Sequence, residues 1–122
     1  MTKAAALNDF WNGFTMNAYE ENSVPHDAVL PYITYQIVTD FFDKSAILTG
    51  SIWDRGTSWR FVNDKAEEIG KEIGIGGILK DIDDGKLWIK RGTPFAQSMG
   101  DDSDDSIKRK FLNIEVEFLT SN

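Results

Sequence analysis

Between residues 110 and 119 apolar and polar side chains alternate. Leu112, Ile114, Val116 and Phe118 point one way, while Asn113, Glu115 and Glu117 point the other. Such a segment is a strand with one dry and one wet face, and it is stable only where something apolar covers the dry one. The same chain provides the cover. Trp59, Val62, Ala66, Ile69 and Ile73 are spaced three, four, three and four apart, which predicts an amphipathic helix capped by Thr57 or Ser58 and stopped by Gly74, Gly76 and Gly77. Glu67 and Lys71 stand four apart on its solvent side.

Other segments extend this plan. Thr2 can cap a first helix in which Leu7, Phe10, Trp11 and Phe14 share a face. Residues 13–31 lose the helical period and carry Asn17, Asn22, Ser23, Pro25 and Pro31, so they read as an irregular connection pinned by Tyr19 and Val24. In residues 32–40, Ile33, Tyr35 and Ile37 alternate with Thr34 and Gln36, the pattern of a strand with one buried face. Asp43 and Lys44 make a turn into a second β-rich run, 45–53, interrupted by Gly50, where a bulge or a close approach is expected. Residues 86–91 form a short strand after the Asp83-Asp84-Gly85 turn.

The expected fold is therefore α+β: a mostly antiparallel sheet of about four strands, with two helices on one face, in helix-hairpin-helix-hairpin order. At 122 residues the chain builds one core, and it reads as a single domain over residues 1–122 with a mobile acidic loop near 98–106.

Composition excludes several chemistries. Without cysteine there is no disulfide, thiolate nucleophile or sulfur-ligated zinc site. Thirteen Lys and Arg against twenty Asp and Glu leave a net charge of −7, which disfavours binding that neutralises many phosphates, so no stable nucleic-acid complex is expected. The same charge makes copies repel, so self-assembly needs apolar or locally complementary surface. Residues 1–6 fall short of a signal peptide and no run approaches membrane-spanning length, which leads to the expectation of a soluble intracellular protein without a membrane partner.

Each candidate for catalysis or ligand binding fails a chemical test. His26, the sole histidine, lies between Pro25 and Asp27 with no nucleophile near it in sequence, and reads as a solvated loop residue. Gly74, Gly76 and Gly77 follow a helix, whereas a phosphate-binding glycine loop must precede one, so they read as a helix stop. The run Asp101-Asp102-Ser103-Asp104-Asp105 could offer oxygens to Ca²⁺ or Mg²⁺, but it lacks the interior glycine and closing glutamate of an EF-hand. It reads as a solvated, repulsive or partner-facing loop. Asp81 and Asp83 read as turn residues and not as a paired-carboxylate hydrolase site. The expectation is of no enzyme, no cofactor and no metal.

Several segments, taken in order, resemble the small tail terminator or tail-completion proteins of long-tailed bacteriophages, also described as minor capsid or head-tail joining proteins. They are Ala18-Tyr19 with Val24-Pro25, Leu30-Pro31-Tyr32-Ile33-Thr34-Tyr35-Gln36, Ser51-Ile52-Trp53 with Ser58-Trp59, Gly92-Thr93-Pro94-Phe95-Ala96-Gln97, Ile107-Lys108-Arg109 and Glu117-Phe118-Leu119. The resemblance implies a ring-forming protein, typically hexameric, at the head-proximal end of the tail tube. There it would stop tube growth and dock the head connector, so its partners would be itself, the tube protein and the connector protein. It would be made in the bacterial cytoplasm, from a phage or prophage, and end in the virion. Under that reading Val24, Pro25, Pro31, Pro94, Phe95 and Gln97 are the candidate interface residues, and Asp101, Asp102, Asp104 and Asp105 a candidate lumen-facing loop that repels passing DNA. A competing reading is an acidic binding module or DNA mimic that occupies a basic site on a partner.

Overall fold

The computed structural model describes residues 1–37, 45–100 and 103–120. Helix α1 (Lys3–Trp11) starts where the Thr2 hydroxyl accepts the Ala5 N–H at 3.1 Å, and it buries Ala6, Leu7, Phe10 and Trp11. Phe14, just beyond the helix, is also buried and meets Phe10 edge-on at 5.3 Å, so the predicted stripe forms one aromatic cluster. Helix α2 (Arg60–Ile73) buries Val62, Ala66, Ile69, Gly70 and Ile73. Its first turn uses the Ser58 hydroxyl, which accepts the Arg60 N–H at 3.0 Å. Gly74, at φ 68°, closes it with an N–H bonded to the Gly70 carbonyl.

Six strands form one sheet among the described residues: β1 (Ala18–Glu20), β2 (Tyr32–Tyr35), β3 (Ser45–Arg55), β4 (Ile78–Ile82), β5 (Gly85–Gly100) and β6 (Ile107–Thr120), in the spatial order β1-β2-β3-β6-β5-β4. β1 runs parallel to β2, and every other pairing is antiparallel. The centre is β3 against β6, paired without a break from Ser45↔Glu117 to Arg55↔Ile107.

This corrects the expected sheet. The domain is α+β with two helices, but the sheet has six strands and is mixed, where about four strands in two hairpins were expected. Two strands account for the difference. β1 is three residues long and pairs with β2 across the non-helical connection 21–31, so no periodic pattern announces it. In β4, Leu79 is 55% exposed beside Ile78, which breaks the alternation that marks a half-buried strand. The segment after α2 is consequently the antiparallel meander β4–β5–β6 and not a hairpin. The expected end of β2 near Asp40 and the turn at Asp43-Lys44 lie outside the described residues.

Both helices lie on one face of the sheet, over Ile33, Tyr35, Leu48, Ile52, Leu87, Ile89, Leu112, Ile114 and Val116. α1 rests on the two edge strands β1 and β4, and α2 on β3, β5 and β6. Two ion pairs fasten the start of the chain to the β4–β5 side: Lys80 with Asp9, and the Met1 ammonium with Asp83. Gly50 does not break β3. It is where the Trp11 ring of α1 lies against β3, with the same ring stacked on Tyr35 at 6.1 Å.

Candidate interaction surfaces

β5 and β6 do not pair evenly. The register passes from Arg91↔Ile114 to Ala96↔Leu112, five steps along β5 against two along β6, and the excess bulges out at Gly92-Thr93-Pro94-Phe95. Gly92 permits this because its Cα lies against Asn113, with 2.8 Å between an added Cβ and the Asn113 Cβ. The Asn113 amide then donates to the Pro94 carbonyl at 3.0 Å and holds the bulge. The bulge turns Phe95 toward α2, where its ring faces Gly70.

A groove of about 540 Å³ opens between this part of β5 and α2. Its apolar floor is Ala66, Phe95 and Ala96, and Lys71, Arg91 and Lys110 stand around it with Glu67. Lys110 donates to the Ser98 hydroxyl at 3.0 Å. None of these three cations has a carboxylate partner among the described residues, whereas Arg55, Arg60, Lys65, Lys80, Lys86 and Lys90 all do. In a chain where carboxylates outnumber cations twenty to thirteen, the groove is lined by three cations and one carboxylate, although Lys71 also borders Asp64, Glu68 and Glu72 on its other side.

The second surface is the sheet face that carries no helix. Alternation puts Thr34, Ser51, Trp53, Arg109 and Phe111 there, with Tyr19 and Tyr32 edge to face at 5.7 Å beside them. The Arg109 guanidinium sits 4.6 Å from the Trp53 ring and 5.3 Å from the Phe111 ring, and its Nε donates to the Ser51 hydroxyl at 2.9 Å. Burial lowers the Arg109 pKa, and the nearby Glu21 carboxylate works against that shift. Trp53 is fixed in turn by its indole N–H, which donates to Thr34 Oγ1 at 2.9 Å. A preset platform of Trp, Tyr, Phe and Arg is the kind of surface that anchors protein contacts.

The residues expected to form an interface divide between four places. Val24, Pro25 and Pro31 lie in the β1–β2 connection, with both prolines exposed and Val24 half-buried. Pro94 is exposed on the bulge, Phe95 faces the groove, and Gln97 lies opposite Phe111 on the helix-free side. The connection and the bulge are not brought together. β5 runs to Gly100 and β6 starts at Ile107, so Asp104 and Asp105 lie in the connection between them. Asp101 and Asp102 lie outside the described residues. Asp104 accepts from the Ser106 N–H and hydroxyl and from Arg55 at 3.0 Å, and these bonds, Ser106 foremost, hold its carboxyl below the usual range. Asp105 is exposed.

The remaining candidates have local roles. His26 is exposed in the β1–β2 connection. Asp81 pairs with Lys86 across β4–β5, and Asp83 with the Met1 ammonium. The Gly76 carbonyl accepts the Trp88 indole N–H at 2.8 Å, and Gly77 lies so close to β5 that a Cβ would fall 2.6 Å from the Ile89 carbonyl oxygen, so these glycines seat the α2–β4 turn.

Lys71, Arg91, Lys110 and the Trp53–Arg109–Phe111 stack were not anticipated from the sequence. Part of the stack was legible, because Trp53 ends one predicted strand and Phe111 falls on the wet face of another, whereas Arg109 lies just before the predicted start of that second strand at residue 110. No helix of the described residues is long and apolar enough to cross a membrane. No family model, curated protein or solved structure matches the chain.

Proposed function

We propose that this chain is a virion assembly protein: a tail terminator that forms a ring on the end of a phage tail tube, ends its growth and presents a docking surface to the head connector. The observation that carries the reading is the presence of two unlike contact surfaces on one small subunit, the cationic α2–β5 groove and the aromatic–guanidinium platform of the helix-free face. A closed ring is made by heterologous contacts, in which each subunit offers two different patches, and further surface must remain for the tube below and the connector above. The segments that carry the sequence resemblance fall on β1, the β1–β2 connection, β2, β3, the approach to α2, the β5 bulge and β6, and among their residues Phe95 and Ala96 line the groove while Trp53 and Arg109 belong to the platform.

Electron microscopy of particles assembled without this protein tests the reading. Overlong tails or heads without joined tails are expected. Normal particles would reject termination and joining together. A salt-sensitive one-to-one complex with a basic protein, without any effect on tails, would point instead to an acidic binding module.

A further inference from the structure

We infer that the outer edge of β5 at residues 96–100, beside the α2–β5 groove, takes up an extended acidic segment of a partner protein as an added strand. The inference rests on the assembly reading for the partner's place on the tail, and on the geometry for the contact itself.

β5 outruns its neighbour. β4 pairs with it only over residues 85–89, whereas β5 continues to Gly100 and is paired with β6 again over residues 96–100. Beyond Ile89 no described strand lies on the other side of β5. Such an edge leaves backbone N–H and C=O groups open to pairing, and chains usually blunt it with a charge, a proline or a bulge. The bulge and Pro94 blunt residues 92–95. Ala96-Gln97-Ser98-Met99-Gly100 has none of these devices, and all but Ala96 are exposed. Five residues give about 17 Å of strand, an ordinary length.

Charge complementarity selects the occupant. Side chains of an added strand alternate between the two faces of the sheet, so every second one meets the helix side, where Ala96 and Ser98 line the groove. There Lys110 of β6 reaches the Ser98 hydroxyl at 3.0 Å, and Arg91 stands just before the bulge. Neither has a carboxylate partner among the described residues, whereas Lys71, opposite them on α2, also borders Asp64, Glu68 and Glu72. Arg91 and Lys110 therefore carry the recognition. Ala66 and Phe95 offer apolar floor to the aliphatic stems of glutamates. The strand that fits has acidic residues at every second position, with apolar ones between them to meet exposed Met99 on the helix-free face.

A second copy does not supply that strand from its described edges. β1 has three residues, and its Ala18 N–H is taken by the Asn12 side chain. β4 puts Lys80 on the helix side, opposite buried Leu87. Another β5 would set two cationic grooves side by side, and like charges across a strand pair repel. The edge is assigned to a different protein, which in the assembly reading is the tube or the connector protein.

The probe is a blocked peptide of about seven residues that alternates glutamate and valine. It is titrated into the whole protein and followed by amide NMR shifts. Shifts centred on residues 96–100, Arg91 and Lys110 are expected. Binding should weaken about tenfold or more when glutamine replaces every glutamate, and likewise in an Arg91→Gln/Lys110→Gln variant that keeps the native circular dichroism. No binding, shifts centred elsewhere, or equal binding of the glutamine peptide would overturn the inference.

N-methylation separates strand addition from plain charge attraction. Alternate amides of an added strand point toward β5 and the rest point away, so methylating one alternate set should abolish binding while methylating the other preserves it. Equal effects of the two sets would reject strand addition. Any self-association of the protein should be unaffected by the peptide, and an oligomer that the peptide dissolves would give the edge to a second copy and reject the foreign partner. Peptide binding together with normal tails in particles lacking the protein would reject the assembly reading and leave the contact standing. Overlong tails without peptide binding would reject the contact alone.

Discussion

The indole of Trp11 occupies the space that a side chain at position 50 would fill: a Cβ on Gly50 would lie 2.6 Å from Trp11 Cη2 and 2.8 Å from Cζ2. Trp11 is fully buried, stacked on Tyr35 at an interplanar angle of 14° and met edge-on by Phe10 at 4.9 Å, so it has little room to retreat. Gly50→Ala should therefore destabilise the fold by about 1–3 kcal/mol through overpacking, and Gly50→Val by more. In a Trp11→Phe background the same Gly50→Ala change should cost at least about 1 kcal/mol less, because the clashing ring is gone. A double-mutant cycle by urea denaturation measures this, and additive costs would show that the two residues do not compete for one space.

That contact also shows where the sequence was informative. Gly50 within an apolar run signals either a bulge or a close approach, and only the position of α1 decides between them. The two helices and β6 were legible because each repeats a single period over many residues. β1 and β4 were not, since β1 has three residues and β4 exposes Leu79 next to half-buried Ile78. The groove was less legible still. Lys71, Arg91 and Lys110 sit on α2, β5 and β6, and they converge because the bulge turns Phe95 toward α2. Gly92 and Pro94 inside a strand were the local sign of that bulge, although its depth follows from the pairing of β5 with β6.

Arg109 joins β6 to β3 through its guanidinium, between Trp53 and Phe111 and bonded to the nearly buried Ser51. Arg109→Met keeps the aliphatic stem but loses the cation and the donor to Ser51, and a loss of about 1–2 kcal/mol is expected. Arg109→Lys should recover less than half of it, since an ammonium cannot stack as a planar group on two rings while bonding Ser51. Denaturation midpoints give the energies, and Trp53 emission should report whether the stack survives. Full recovery by lysine would mean that charge alone accounts for the effect.

Asp104 ties the β5–β6 turn to β3, and its carboxyl titrates below the ordinary value of 3.8, chiefly through Ser106 and then Arg55. A carboxyl depressed in the folded state stabilises the fold at pH values above its unfolded pKa, and that contribution disappears as the pH falls through the folded value. Asp104→Asn should therefore lower stability at neutral pH, and the gap between wild type and variant should narrow only once the pH drops below 3.8. Urea midpoints across an acid series measure the gap. A gap constant with pH would show that the carboxylate's charge plays no part.

Thr15 holds a backbone φ of 57°, a left-handed conformation that β-branched residues rarely adopt. It sits where the chain leaves α1 for β1, and Lys65 of α2 fixes the bend by donating to the Phe14 carbonyl at 3.0 Å. The Thr15 hydroxyl donates to the same carbonyl at 2.6 Å. Replacing Thr15 by glycine removes a strain of about 1–2 kcal/mol but gives back about 0.4–1 kcal/mol through a more flexible unfolded chain. A net stabilisation of about 0.5–1 kcal/mol is expected for Thr15→Gly, with Thr15→Asn also stabilising because asparagine tolerates this conformation. Lys65→Met, which removes the ammonium from the Phe14 carbonyl, should destabilise by about 1 kcal/mol or more. Thermal unfolding of the three variants decides the matter, and a loss of stability in both Thr15 variants would show that the hydroxyl bond outweighs the strain.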